Sequence, residues 1–146
     1  MRIFILAIAT LTLLALRAGG EEMQVANAAP LEPQVQNGVK FLSGGVGDRE
    51  QDELLVLDKK YNLRVALTDA KGEYLSGIHV TIENSKGEAL VETTTDGPIL
   101  LAELAPGRYV LKARDEGRKA ERRVLDVPKA PEQARVYVAM PHEGGS

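Results

Sequence analysis

Four stretches of this chain carry residue types that could do chemistry. Ser43-Gly44-Gly45-Val46-Gly47 precedes a segment with helical signals, and free backbone N–H groups at such a junction can cradle a phosphate. Asp48, Glu50, Asp52 and Glu53 follow at once and repel an anion, and no Lys follows the last glycine as a P-loop requires. A tight turn accounts for these glycines. His79 falls on the outward face of a strand if Ile78, Val80 and Ile82 face a core, and no second ligand or base is placed beside it. A half-covered histidine without a chemical role is the expectation. Asp96-Gly97 could offer oxygens to calcium, but one acid makes a poor hard-ion site, and an Asp–Gly turn needs the same residues.

The fourth stretch is the local excess of positive charge. Arg108, Lys112 and Arg114 recur at intervals of two or four and share one face of a strand, while Lys119, Arg122 and Arg123 lie on the next strand of the same hairpin. Such a surface suits an acidic protein or an anionic envelope component such as lipopolysaccharide phosphate. The plainer account is a solvated strand face, interleaved with Asp115, Glu116 and Glu121, or one that meets the acidic helix within the molecule. These six residues are the best functional lead in the sequence.

The elements that must position them are legible from periodicity. Leu63, Val65 and Leu67 alternate with polar or small residues, as do Ile78, Val80 and Ile82. Asp69-Ala70-Lys71-Gly72, Ser85-Lys86-Gly87 and Asp115-Glu116-Gly117-Arg118 read as turns, and Pro106-Gly107 as another. After that turn, Tyr109, Leu111 and Ala113 alternate with Arg108, Val110, Lys112 and Arg114. Residues 99–104 are apolar at nearly every position, which predicts a central strand covered on both faces. Further strands run over Ala89 to Thr95, Arg122 to Val127 and around Val136, Val138 and Met140. About seven short strands at this spacing predict a mainly β fold, a seven-stranded antiparallel Greek-key β-sandwich.

Ahead of the β region, residues 39–62 read as a glycine-rich turn and one short N-terminal helix. Asp48 with Gln51 resembles a capping pair, Leu54, Leu55 and Leu57 form an apolar stripe, and Asn62 is a candidate left-handed stop near Tyr61. Residues 21–38, with Pro30 and Pro33 and no periodicity, read as a flexible linker. Met1-Arg2 and the apolar run from Ile3 to Leu16, closed by Arg17, read as a signal peptide over residues 1–20, with cleavage as late as residue 28. The rival is an uncleaved anchor. Residues 141–146 form a tail.

Composition narrows the function classes. The 146 residues suit one domain, with 44% hydrophobic but only 4% aromatic residues, so the core is aliphatic. No cysteine means no disulfide and no thiolate nucleophile, and two histidines leave little for a metal site. The net charge of -3 becomes about -5 without Arg2 and Arg17, which gives no reason to expect nucleic-acid binding.

Val65, Asp69 and Gly72, then Leu75 and Gly77 before Val80-Thr81-Ile82, form an ordered set with Gly87, Thr95-Asp96-Gly97, Leu104, Pro106-Gly107, Tyr109 and Gly117. In this set residues 63–140 resemble the carboxypeptidase regulatory-like domain, a small prealbumin-like sandwich. The resemblance implies an accessory module in a small exported bacterial protein. Zinc carboxypeptidases need two histidines and a glutamate in a larger domain, and transthyretin-like hydrolases end in Tyr-Arg-Gly-Ser, where this chain ends His142-Glu143-Gly144-Gly145-Ser146. The expectation is therefore a periplasmic or secreted binding module without enzyme activity or cofactor. Its partner is an envelope protein or an anionic glycan or lipid, with no stable membrane span after the leader is cleaved. The alternative is a carbohydrate-binding module. Sugar stacking needs exposed aromatics, and with Phe4 in the leader and Tyr109 expected in the core, Tyr74 or Tyr137 would have to supply them.

Overall fold

Alternation of side chains decides most of the architecture. The computed structural model describes residues 30–144, so the expected signal peptide, its cleavage site, the first half of the expected linker and the last two residues lie outside the described part. Within it the protein is mainly β, with nine strands in two sheets and one short α-helix. The five-stranded sheet runs β1 (Gln34–Gln36), β2 (Val39–Gly44), β6 (Ile99–Glu103), β3 (Leu63–Thr68), β9 (Ala134–Ala139). The four-stranded sheet runs β5 (Ala89–Thr94), β4 (His79–Glu83), β7 (Gly107–Arg114), β8 (Glu121–Val127). The seven strands expected from periodicity are β3 to β9; β1 and β2 are additional. All pairings are antiparallel except β3 with β9, which run parallel and so depart from the all-antiparallel expectation.

The inward residues of both sheets meet in one aliphatic core. Phe41, Val65, Leu67 and Leu100 from one sheet share it with Val80, Ile82, Val91, Leu111 and Leu125 from the other. Each such side chain contributes about 1.5–3 kcal/mol by leaving water. β6 sits at the middle of its sheet and lost its alternation for a reason: Leu100 and Ala102 face this core, while Ile99 and Leu101 face a second cluster on the outer side. There Leu42, Ala66, Ile99 and Leu101 are covered by Leu54 of the helix α1 (Gly47–Leu57), with Leu31 and Leu57 at its margin. Of the expected apolar stripe, Leu54 and Leu57 pack inward, whereas Leu55, one residue and about 100° further round, is exposed.

The N-terminal segment differs most from expectation. Part of the expected linker, Gln34–Gln36, is β1, hydrogen-bonded to β2 across an Asn37-Gly38 turn in which both residues have positive φ (47° and 78°). This is the pair that tight hairpin turns prefer. β2 then joins the main sheet against β6, so the segment is part of the fold. Asn62 is no left-handed stop. α1 gives way at Leu57 to a 3-10 turn over Asp58–Lys60, and Asn62 is buried. Its amide donates to the carbonyls of Leu104 (2.7 Å) and Pro128 (2.9 Å) and accepts the Leu104 N–H (2.8 Å), tying together the loops that leave β6 and β8.

Two connections share one side-chain device. Asp69 accepts the N–H groups of Lys71 and Glu73, and Asn84 accepts those of Lys86 and Glu88, over the matching runs Asp-Ala-Lys-Gly-Glu and Asn-Ser-Lys-Gly-Glu. The Glu73 N–H, above all, holds the Asp69 carboxyl below its ordinary pKa.

Candidate functional site

The glycine-rich junction is filled from within. The N–H groups of Gly45 (3.0 Å) and Val46 (3.2 Å), which point where a phosphate would sit, donate to Oε1 of Glu50, and the Gln51 amide donates to the Gly45 carbonyl. The helix is therefore closed by Glu50 and not by the expected Asp48–Gln51 pair; no side chain caps it from Val46. The neighbouring Thr95-Asp96-Gly97 turn is equally committed to structure. Thr95 Oγ1 accepts the Ile78 N–H, Asp96 N–H donates to Ser43 Oγ, and a Cβ on Gly97 would overlap the Gly44 carbonyl. These glycines let β2 and the turn approach each other closely.

The basic hairpin divides into paired and unpaired charges. On the outward face of β7, Arg108 Nε donates to Asp126 Oδ1 of β8 at 2.9 Å, and Lys112 pairs with Glu83 of β4 at 2.9 Å. The carboxylate of Asp126 raises the pKa of Arg108, and the guanidinium lowers that of Asp126, through their hydrogen bond and their attraction. Arg123 does not share that face. Register sets Arg122 opposite Lys112 and Arg123 opposite Leu111, so Arg123 turns to the other side of the sheet, where it pairs with Glu121 at 2.6 Å. Lys119 precedes β8 and lies in the connection, its backbone N–H donating to Pro141 O. Six residues read as one patch thus reduce to Lys112, Arg114 and Arg122, with Lys119 nearby in the chain.

The side chains of Arg114 and Arg122 are exposed and carry no hydrogen bond or ion pair among the described residues. Together with Lys112 they border a depression of about 270 Å³ whose other walls include His79, Thr81 and Ala120. His79 faces Arg114 across the β4–β7 pairing, and Thr81 faces Lys112. The sequence placed His79 outward but gave no sign that it would join the cations, because that adjacency is created by register between strands thirty residues apart. Beyond His79 and Arg114 a shallower hollow has Asp115 and Glu116 on its far side. The depression thus presents two unpaired guanidinium groups, an ammonium paired with Glu83 and the carboxylate of Glu121 paired with Arg123, which leaves an excess of positive charge on a concave wall.

No family model and no curated protein matches the chain. Among the solved structures that match is the Bacillus anthracis TIE protein, at 17% identity and a TM-score of 0.44, over 55% of this chain and 17% of that one. The chain therefore spans under a fifth of the length of that protein.

What the depression offers chemically is hydrogen-bond donation to an anion: planar guanidinium forks from Arg114 and Arg122 suit a phosphate or carboxylate. Among the described residues no group of three or more His, Cys, Asp or Glu is placed to hold a metal ion. No helix among them is long and apolar enough to cross a membrane. The aromatics split cleanly. Phe41, Tyr61 and Tyr109 are buried; Tyr109 donates its hydroxyl to Ala105 O at 2.6 Å, and burial raises its pKa. Burial, then the charge of Glu103, raises the pKa of Tyr61. Tyr74 and Tyr137 are 59% and 68% exposed.

Proposed function

We propose that the chain is a non-catalytic, exported accessory module of the cell envelope that docks an anionic component through the depression between β4, β7 and β8. The observation that carries this reading is the pair of unpartnered guanidinium groups, Arg114 and Arg122, beside Lys112 at one concave wall. Among the described residues Arg49, Arg64, Arg108, Arg118, Arg123 and Arg135 each have an acid, and the adjacent Arg114 and Arg122 are the arginines without one. The finer fold reading, a prealbumin-like Greek-key sandwich of the carboxypeptidase regulatory-like kind, is supported by the single core that both sheets share and belongs to the same proposal. Export and a periplasmic or secreted location rest on the N-terminal apolar run.

Co-sedimentation of the full chain with phosphatidylglycerol vesicles, against phosphatidylcholine vesicles, tests it. Binding to the anionic vesicles should weaken with salt and fall about tenfold or more in Arg114→Glu/Arg122→Glu, since each basic residue near an anionic surface contributes about 1 kcal/mol. Equal binding to both vesicle types, or by both proteins, overturns the reading. Capture of an acidic protein that the same variant abolishes would keep the surface and replace the lipid.

A further inference from the structure

The outer face of the five-stranded sheet holds a second arrangement, on the opposite side of the molecule from the cationic depression. Tyr137 of β9 pairs in register with Ala66 of β3, and Tyr74 bridges to Thr68 on the other flank of the same strand. Ala66 and Thr68 are two residues apart, so they share a face, and Ala66 packs in the cluster beneath α1. Both tyrosines therefore rise on the α1 side, with the buried Ala66 and the half-buried Thr68 between them. Two strand spacings across and two residues along put their Cα atoms about 12 Å apart.

Hydrogen-bonding groups flank the two tyrosines. One row along from Tyr137 and Ala66, Arg135 and Arg64 stand opposite each other. Asp58 pins both, accepting from Arg64 at Oδ1 (3.2 Å) and from Arg135 at Oδ2 (3.1 Å), and the Gln133 amide bonds Asp58 as well. Between Tyr74 and α1 lies a hollow of about 160 Å³ walled by Gln51, Asp52, Leu55 and Arg64. Donors and acceptors are mixed, and the arginine charge is met by carboxylates, so the face suits no strong anion. It suits a ligand with apolar C–H faces and a rim of hydroxyls.

We propose that this face binds a linear neutral glycan, with Tyr74 and Tyr137 as two stacking platforms and Arg64, Asp52 and Gln51, in the hollow beside Tyr74, bonding hydroxyls. Exposed tyrosines supply large rigid contact area with a polar tip. Their separation, wider than one sugar ring, makes binding depend on chain length.

Titration of the full chain with cellohexaose, xylohexaose, maltohexaose and chitohexaose, followed by NMR, tests it. The expected result is saturable binding of at least one, stronger for the hexasaccharide than for its disaccharide, and weakened roughly five- to tenfold by Tyr74→Ala and by Tyr137→Ala separately. Arg114→Glu/Arg122→Glu should bind that glycan like the native chain, which separates this site from the anion reading. Circular dichroism confirms that the tyrosine variants fold. No response to any of the four sugars overturns the proposal, as does a bound glycan whose affinity neither tyrosine variant changes.

Discussion

The two outer faces of this molecule were built by opposite rules. On the five-stranded sheet the outward positions of β2, β6 and β3 include Leu42, Leu101, Ile99 and Ala66, and a helix lies on them. On the four-stranded sheet the outward positions of β7 are Arg108, Val110, Lys112 and Arg114, and no helix among the described residues covers them. A face without alternation calls for a second layer, because apolar groups on both sides of a strand cannot both face water. A face with strict alternation needs none and leaves its charges for neighbours or ligands. The covered face therefore holds stability, and the open face holds the unpaired charge.

The comparison breaks most visibly at Leu54, the side chain that joins α1 to its sheet and is 2% exposed. Leu54→Ala should cost about 2–5 kcal/mol, lost transfer energy plus a cavity that the rigid sheet beneath cannot collapse. Arg122→Ala, on the open face, should stay within about 0.5 kcal/mol. Urea denaturation of both variants decides it. Equal midpoints would mean that the helix is an ornament and the two faces do not differ in kind.

A smaller loss sharpens the same contrast at the joint between the layers. Asn62→Ala removes the amide that serves Leu104 and Pro128 and leaves two buried backbone groups and one part-buried carbonyl short of a partner. A buried group left unsatisfied costs about 1–3 kcal/mol, and the loops from β6 and β8 should lose hydrogen-exchange protection together. Loosening of only one loop would show that Asn62 does not couple the sheets.

How far the sequence reached follows from the range of each signal. Period-two alternation is local, so β3 to β9 were legible, and so was the double burial of β6. The pattern of β1, Gln-Val-Gln, is too short and polar to declare a strand, and only the Asn37-Gly38 turn could have revealed the hairpin. Pairing between distant segments has no local signature, which hides the parallel β3–β9 contact and the register that sets Arg122 beside Lys112, whereas alternation alone already turns Arg123 away from Arg122. Asn62 shows the same limit from the other side. Its residue type predicts a helix stop, but a buried site with two carbonyls and an N–H outbids that preference. The candidate cations were named from sequence; which of them stayed free was decided by Glu83, Asp126 and Glu121, two of which lie on other strands than their partners.

The smallest expected effect lies on the open face. Arg108 and Asp126 are 67% and 74% exposed at the side chain, so their pairing shifts titration without anchoring the fold. The hydrogen bond and charge of Arg108 depress the Asp126 pKa in the folded state. A depressed carboxyl contributes whatever stability it has above its unfolded pKa of about 3.9 and loses it as pH falls through the lower folded value. Carboxyl NMR titration should therefore find Asp126 below the ordinary range in the native chain and back within it in Arg108→Ala, while the urea midpoint at neutral pH hardly moves. A large shift of that midpoint would place structural work on the open face, and the division between a covered face that holds the fold and an open face that does not would fail there first.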